Sequence, residues 1–126
     1  MVSDFVVRMK KAVKTESRYY IFIEYCNGSD LKELMELRDW EINPEVVQKI
    51  LYMLVNGVYD MMQMLVIHRD LKLQNIMVHF PNDSLKLLAM TKQMRKEWLR
   101  TVDLSTTPFE VKIADFGFSK KLRNKS

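Results

Sequence analysis

His68-Arg69-Asp70-Leu71-Lys72-Leu73-Gln74-Asn75 is the stretch on which the reading of this chain turns. It sets a carboxylate, an ammonium and a carboxamide close together, and the apolar run Ile76-Met77-Val78 follows at once. Polar residues leading into a short β-branched run read as a loop followed by a strand. A second polar group, Asp115-Phe116-Gly117, closes another such run, Val111-Lys112-Ile113-Ala114. Singly these residues carry little information, since a lone loop aspartate is ordinarily a solvated carboxylate. The joint spacing decides: two polar loops, each beside a strand, in a fixed order.

That joint pattern resembles the protein kinase family, whose catalytic loop reads H-R-D-x-K-x-x-N and whose metal site begins D-F-G. Phosphoryl transfer calls for these residue types. The transferring group is densely negative, so catalysis is mainly positioning and electrostatic stabilisation. A carboxylate must orient the attacking hydroxyl and take its proton, and hard oxygen ligands must hold Mg²⁺ on the phosphates. The resemblance implies that Asp70 is the catalytic base and that Lys72 contacts the transferring phosphate. It makes Asn75 and Asp115 the Mg²⁺ ligands. It stacks His68 with Phe116 in an internal apolar column and pairs Arg69 with a phosphorylated activation-loop residue. Lys72 stands two positions after the base, as in serine/threonine kinases, while Leu73 replaces the more frequent proline. The segment from Ile113 through Asp115-Phe116-Gly117 to Lys121 is similar to calmodulin-dependent and autophagy-initiating kinases.

The N-terminal half carries its own resemblance. Ile23-Glu24-Tyr25-Cys26-Asn27-Gly28-Ser29-Asp30 looks like the hinge between the two kinase lobes. The implied roles are Ile23 as gatekeeper, the Glu24 and Cys26 backbone as adenine contacts, and Asp30 on the ribose hydroxyls. Met77 would form the apolar floor under the adenine. Without the resemblance, the same segment reads as a plain hairpin strand and turn.

The fold class expected is α+β: a truncated protein-kinase-like fold. Residues 1–26 supply two N-lobe strands and the hinge, and residues 27–126 a partial C-lobe with an insert at about 81–108. Strands are expected over 5–13 and 19–25, with a turn at 14–18. Ser29 would cap a short helix over 30–38. Asn43-Pro44-Glu45 is a helix start, with a capping side chain, proline at the first helical position and an acid near the positive dipole end. The helix runs to about 65, with Val47, Ile50, Leu51, Leu54, Val58, Met61, Met62 and Leu65 as its core face. Val46, Val55 and Tyr59 lie outside that stripe. Strands follow at 76–80 and 109–114. Residues 85–102 form one amphipathic helix, with Leu87, Met90, Met94, Trp98 and Val102 on one face and Lys92, Arg95, Lys96 and Arg100 on another. The apolar face packs on the lobe; a protein partner or an anionic membrane surface is the alternative occupant for this basic helix.

Composition narrows the classes. Hydrophobic residues make up 48% of 126 residues, enough for a core. The net charge of +4 is spread along the chain instead of clustered, which argues against nucleic-acid binding. Cys26 is the single cysteine, which excludes an internal disulfide and fits an intracellular, cytoplasmic setting. No signal peptide is visible. Asn56, Asp60 and Gln63 interrupt the apolar run at 50–67 and argue against a membrane span.

Some family parts have no counterpart. The chain holds Gly28, Gly57 and Gly117 only, so it contains no G-x-G-x-x-G phosphate loop. Lys11-Ala12-Val13-Lys14 resembles the V-A-I-K motif, but the family places a helix between that lysine and the hinge strand. Residues 15–18 cannot supply one, so Lys14 reads as a turn lysine. The expected function is ATP- and Mg²⁺-dependent phosphoryl transfer to protein serine or threonine hydroxyls, this chain being part of the domain. The alternative is an inert, kinase-like binding or regulatory module.

Overall fold

The computed structural model describes residues 3–67 and 70–114 and the short strand at 120–121. The expected α+β class holds. Strands β1 (Met9–Lys14) and β2 (Tyr19–Ile23) form an antiparallel hairpin. Helices α1 (Leu31–Leu37) and α2 (Pro44–Gln63) follow, then β3 (Val66–Ile67), a 3₁₀ turn at Leu73–Asn75 and β4 (Ile76–His79). A 3₁₀ turn at Pro81–Asp83 leads to α3 (Ser84–Leu88) and α4 (Lys92–Thr101), then β5 (Glu110–Ile113) and β6 (Lys120–Lys121). β3 pairs with β6 and β4 with β5, both antiparallel.

The first strand is shorter than the sequence suggests, because residues 5–7 belong to a different ladder. Val7 N–H donates to Ile113 C=O and Ile113 N–H to Phe5 C=O, both at 2.9 Å. The chain therefore runs beside β5 before it turns into β1. At the hairpin tip Thr15 N–H donates to Arg18 C=O at 2.8 Å, which closes the turn. Lys14, expected in the turn, is instead the last residue of β1, paired with Tyr19 and lying over that ring at 5.5 Å, so the turn is confined to 15–18. All of β2 is exposed.

Helix caps explain several boundaries. Asn43 accepts from Glu45 N–H at 2.9 Å, with Pro44 at the first helical position. The cap of α1 is Asp30, not Ser29: Asp30 Oδ1 accepts from Glu33 N–H at 2.9 Å, while Ser29 takes a left-handed φ of 66° and its hydroxyl donates to Glu33. The core face of α2 is rotated from the expected stripe. Val46, Ile50, Met53, Gly57 and Met61 are buried, whereas Val47, Leu51 and Met62 are exposed. The reason is the neighbour: β5 and the residue 5–7 segment press on one side, and Gly57 marks the closest approach. A Cβ there would stand 2.8 Å from Phe5 C=O.

The expected helix over 85–102 is two helices. Thr91 accepts from Met94 N–H at 3.2 Å and starts α4 afresh, a role that hydroxyl side chains favour. Leu87, Leu99 and Val102 are buried, Trp98 is partly buried, and Met94 is exposed. The strand expected over 76–80 ends at His79, and Phe80 turns into the core. There it meets Trp98 edge-to-face at 4.8 Å and Phe109 at 6.2 Å. The insert thus shares one core with α1, α2, β4 and β5. No described helix is long and apolar enough to cross a membrane.

Candidate active site

β4 and β5 lie side by side with Ile76 opposite Ile113 and Met77 opposite Lys112. Both are buried on the core side, which fixes their register. Register matters because each strand borders a polar loop. Asn75 directly precedes β4, and Ala114, the residue before Asp115, directly follows β5. Ala114 N–H donates to Asn75 C=O at 2.8 Å.

Asn75 is buried, and its Nδ2 donates to the Asp70 carbonyl at 2.8 Å and lies 3.5 Å from Asp70 Oδ2. With Nδ2 so committed, the amide Oδ1 has no protein donor among the described residues. Lys72 Nζ stands 3.3 Å from Asp70 Oδ2, both side chains partly exposed. Asp70, Lys72 and Asn75 therefore form one cluster around the Asp70 carboxylate. A carboxylate, a free amide oxygen and an ammonium at this spacing can orient a hydroxyl, offer a hard oxygen to a divalent cation and neutralise phosphate charge. Asp115, Phe116, His68 and Arg69 lie outside the described residues, so the second expected metal ligand, the apolar column and the phosphate-pairing arginine do too.

The residues expected to form a hinge come to the same edge. Gly28 N–H donates to Val78 C=O and Val78 N–H to Ser29 C=O, both at 2.8 Å. Asp30 bridges to Met77. Gly28 must lack a side chain, since a Cβ would sit 2.7 Å from the Phe80 ring and 2.8 Å from the Val78 oxygen. Neither Glu24 C=O nor Cys26 N–H has a hydrogen-bond partner among the described residues. Met77 is half-buried beneath this edge, and Ile23 ends β2 exposed. Asp30 spends Oδ1 on its helix cap, which leaves Oδ2 for any sugar hydroxyl. Burial pushes the Cys26 thiol up to about 11, with the neighbouring Glu24 charge adding to it, so it stays a neutral thiol.

Two residues that matter here were not singled out from the sequence. Asn27 clamps the hinge to β4: its Oδ1 accepts from Phe80 N–H at 2.7 Å and its Nδ2 donates to Phe80 C=O at 3.0 Å. Lys112 is only 9% exposed and donates to Glu24. The basic helix α4 contributes Lys92, Arg95 and Lys96 to a cleft of about 250 Å³ beside Tyr25, Cys26 and Ser29.

Comparison with known proteins bears on this geometry. The protein kinase domain family matches residues 1–126. The serine/threonine-protein kinase unc-51 of Caenorhabditis elegans is 27% identical over 119 residues, which is 94% of this chain and 12% of that protein. The chain thus spans about an eighth of the length of the curated relative it matches. With the whole chain covered by that family, the chain belongs to the protein kinase family and represents part of its catalytic domain.

Proposed function

We propose that the protein to which this chain belongs transfers the γ-phosphate of ATP to serine or threonine hydroxyls. In this reading Asp70 is the base, Lys72 meets the transferring phosphate, and Asn75 holds Mg²⁺ together with Asp115. Mg²⁺ would neutralise charge on the phosphates. Asp70 would orient the substrate hydroxyl and accept its proton. The Glu24 and Cys26 backbone would grip adenine over Met77, Asp30 would meet the ribose, and Ile23 would guard the pocket behind. One observation carries the reading: the buried Asn75 amide is oriented by the Asp70 carbonyl while its backbone carbonyl takes the N–H preceding Asp115. An intracellular setting accords with a single, unreactive cysteine.

The test is Asp70→Asn in the full-length protein. Phosphate transfer to a generic basic peptide is expected to vanish while ATP binding is kept, because the base handles the hydroxyl and not the nucleotide. Near-normal turnover would sink the assignment.

The alternative expected from the sequence is an inert, kinase-like binding or regulatory module. It predicts that the full-length protein shows no transfer with Asp70 intact.

A further inference from the structure

Among the described residues, a side-chain pair 88 positions apart in sequence joins the proposed hinge to the strand that leads to Asp115. Lys112 Nζ donates to Glu24 Oε2 at 3.0 Å, with side-chain exposures of 11% and 23%. The other oxygen, Glu24 Oε1, accepts from Arg8 N–H at 2.7 Å, and Glu24 N–H donates to Arg8 C=O at 2.9 Å. Glu110 stands 3.6 Å from Lys112 on the far side. One carboxylate thus holds three segments together: the approach to β1, the hinge and β5.

A strand lysine ordinarily snorkels to water. Lys112 does not: Val111 and Ile113 are fully buried on the opposite face of the strand, while on the Lys112 face Glu24 of the hinge segment covers its ammonium. Burial works against the Lys112 charge, but the Glu24 hydrogen bond and charge, with Glu110 behind, more than offset it and hold its pKa above the ordinary value. Burial likewise pushes the Glu24 carboxyl up. The Arg8 N–H, the Lys112 contact and the Lys112 and Arg8 charges reverse that and hold it below its ordinary value. Both groups are therefore charged at neutral pH.

We infer that Lys112 is a positioning residue for nucleotide, setting the height of the hinge backbone above β5 through Glu24. The nucleotide part rests on the kinase reading; the clasp itself does not. In the kinase reading, a nucleotide anchored at Glu24 C=O and Cys26 N–H at one end, and through a cation on Asn75 at the other, would need a fixed distance between the anchors. Lys112 sits three residues before Asp115 and grips the hinge residue that would make the first adenine contact. Misplacement of about 1 Å between anchor and chemistry can cost on the order of a hundredfold in rate.

The experiment uses the full-length protein with Lys112→Met, Lys112→Arg, Glu24→Gln and the double variant Glu24→Gln/Lys112→Met. The Gln variant keeps an acceptor for Arg8 N–H and removes only the charge. The readouts are the affinity for an N-methylanthraniloyl ATP with Mg²⁺, deuterium exchange at amides 24–28, and exchange along α2. Lys112→Met and Glu24→Gln are each expected to weaken binding about three- to tenfold, with the double variant no worse than either single, as contacting partners behave. Exchange at 24–28 should rise while α2 stays protected, and Lys112→Arg should restore both. Losses that multiply in the double variant, unchanged affinity, or exchange rising equally through α2 would overturn the inference. If the unsubstituted protein binds no nucleotide yet hinge exchange still follows Lys112, the kinase reading falls and the clasp stands.

Discussion

The N–H of Ala114 donates to the carbonyl of Asn75 at 2.8 Å, so the last residue before Asp115 is held against the residue that opens β4. The backbone thus ties Asn75, proposed to hold a divalent cation, to the residue that precedes the second proposed ligand in sequence. Asp115→Ala should then weaken Mg²⁺-dependent nucleotide binding far more than metal-free nucleotide binding, since the carboxylate supplies a ligand and leaves the backbone bond in place. Calorimetric titration of ATP with and without Mg²⁺ checks this. Equal losses would remove Asp115 from the metal site.

Gly28→Ala should destabilise the hinge. The added methyl would meet the Phe80 ring at 2.7 Å and the Val78 carbonyl at 2.8 Å, and Phe80 is fully buried and cannot retreat. Overpacking of this kind costs about 1–3 kcal/mol. Chemical denaturation of the full-length protein would show it, and an unchanged midpoint would mean that the loop moves freely.

Arg38 holds the insert in place. Its Nη1 donates to the carbonyls of Leu99, Arg100 and Val102 at 2.9, 3.1 and 2.9 Å, a cation at the negative end of α4. Arg38→Met should cost about 1.5–3 kcal/mol, the range for hydrogen bonds to a charged group. Proteolysis should then begin within 91–108. A variant as resistant as the parent would show that core packing alone suffices.

The Glu24–Lys112 pair gives stability a pH signature at both ends. Glu24 has a lowered folded pKa, so its contribution is full above the ordinary 4.5 and is lost as pH falls through the lower folded value. Lys112 has a raised folded pKa, so its contribution is full below 10.5 and is lost as pH rises through the higher folded value. Glu24→Gln should flatten the acid limb of a melting-temperature profile. An acid limb of unchanged slope would place the titration elsewhere.

The isolated 126 residues should show no phosphate transfer, a broad melt and concentration-dependent association. Tyr20, Ile21, Phe22 and Ile23 of β2 are exposed, and Leu51, Tyr52, Val55, Tyr59 and Met62 form an uncovered face of α2. Each large apolar side chain left in water forgoes about 1.5–3 kcal/mol. Sedimentation and calorimetry test this, and a sharp melt of a monomer would refute it.

The sequence was most legible where local chemistry acts alone. Asn43-Pro44-Glu45 starts α2 as expected. The α2 stripe was misjudged because apolar residues cover all of the helix except the side of Glu45, Lys49, Asn56, Asp60 and Gln63, so periodicity could not say which part of that wide apolar surface meets β5. Val46 is therefore buried and Leu51 exposed. The break before α4 had a signal in Thr91, a capping residue inside a helical pattern. For the site, Asp70, Lys72 and Asn75 were legible as a motif, and the structure brings them together. Lys112 carried no such signal. A lysine between two apolar residues in a strand looks solvent-facing, and its partner is remote in sequence.

The core shared by the insert and the lobe has an evolutionary consequence. A surface loop that lengthens by chance can shorten again without harm. Leu87, Leu99, Val102 and Leu104 are instead buried against Phe80, Val111 and α1, so excising the insert would strip one wall from the lobe. Read as an addition to the family domain, the 81–108 segment works as a ratchet. A descendant could vary the exposed Lys92 or Met94 at little cost, but could discard the segment only by first rebuilding the wall that it now provides.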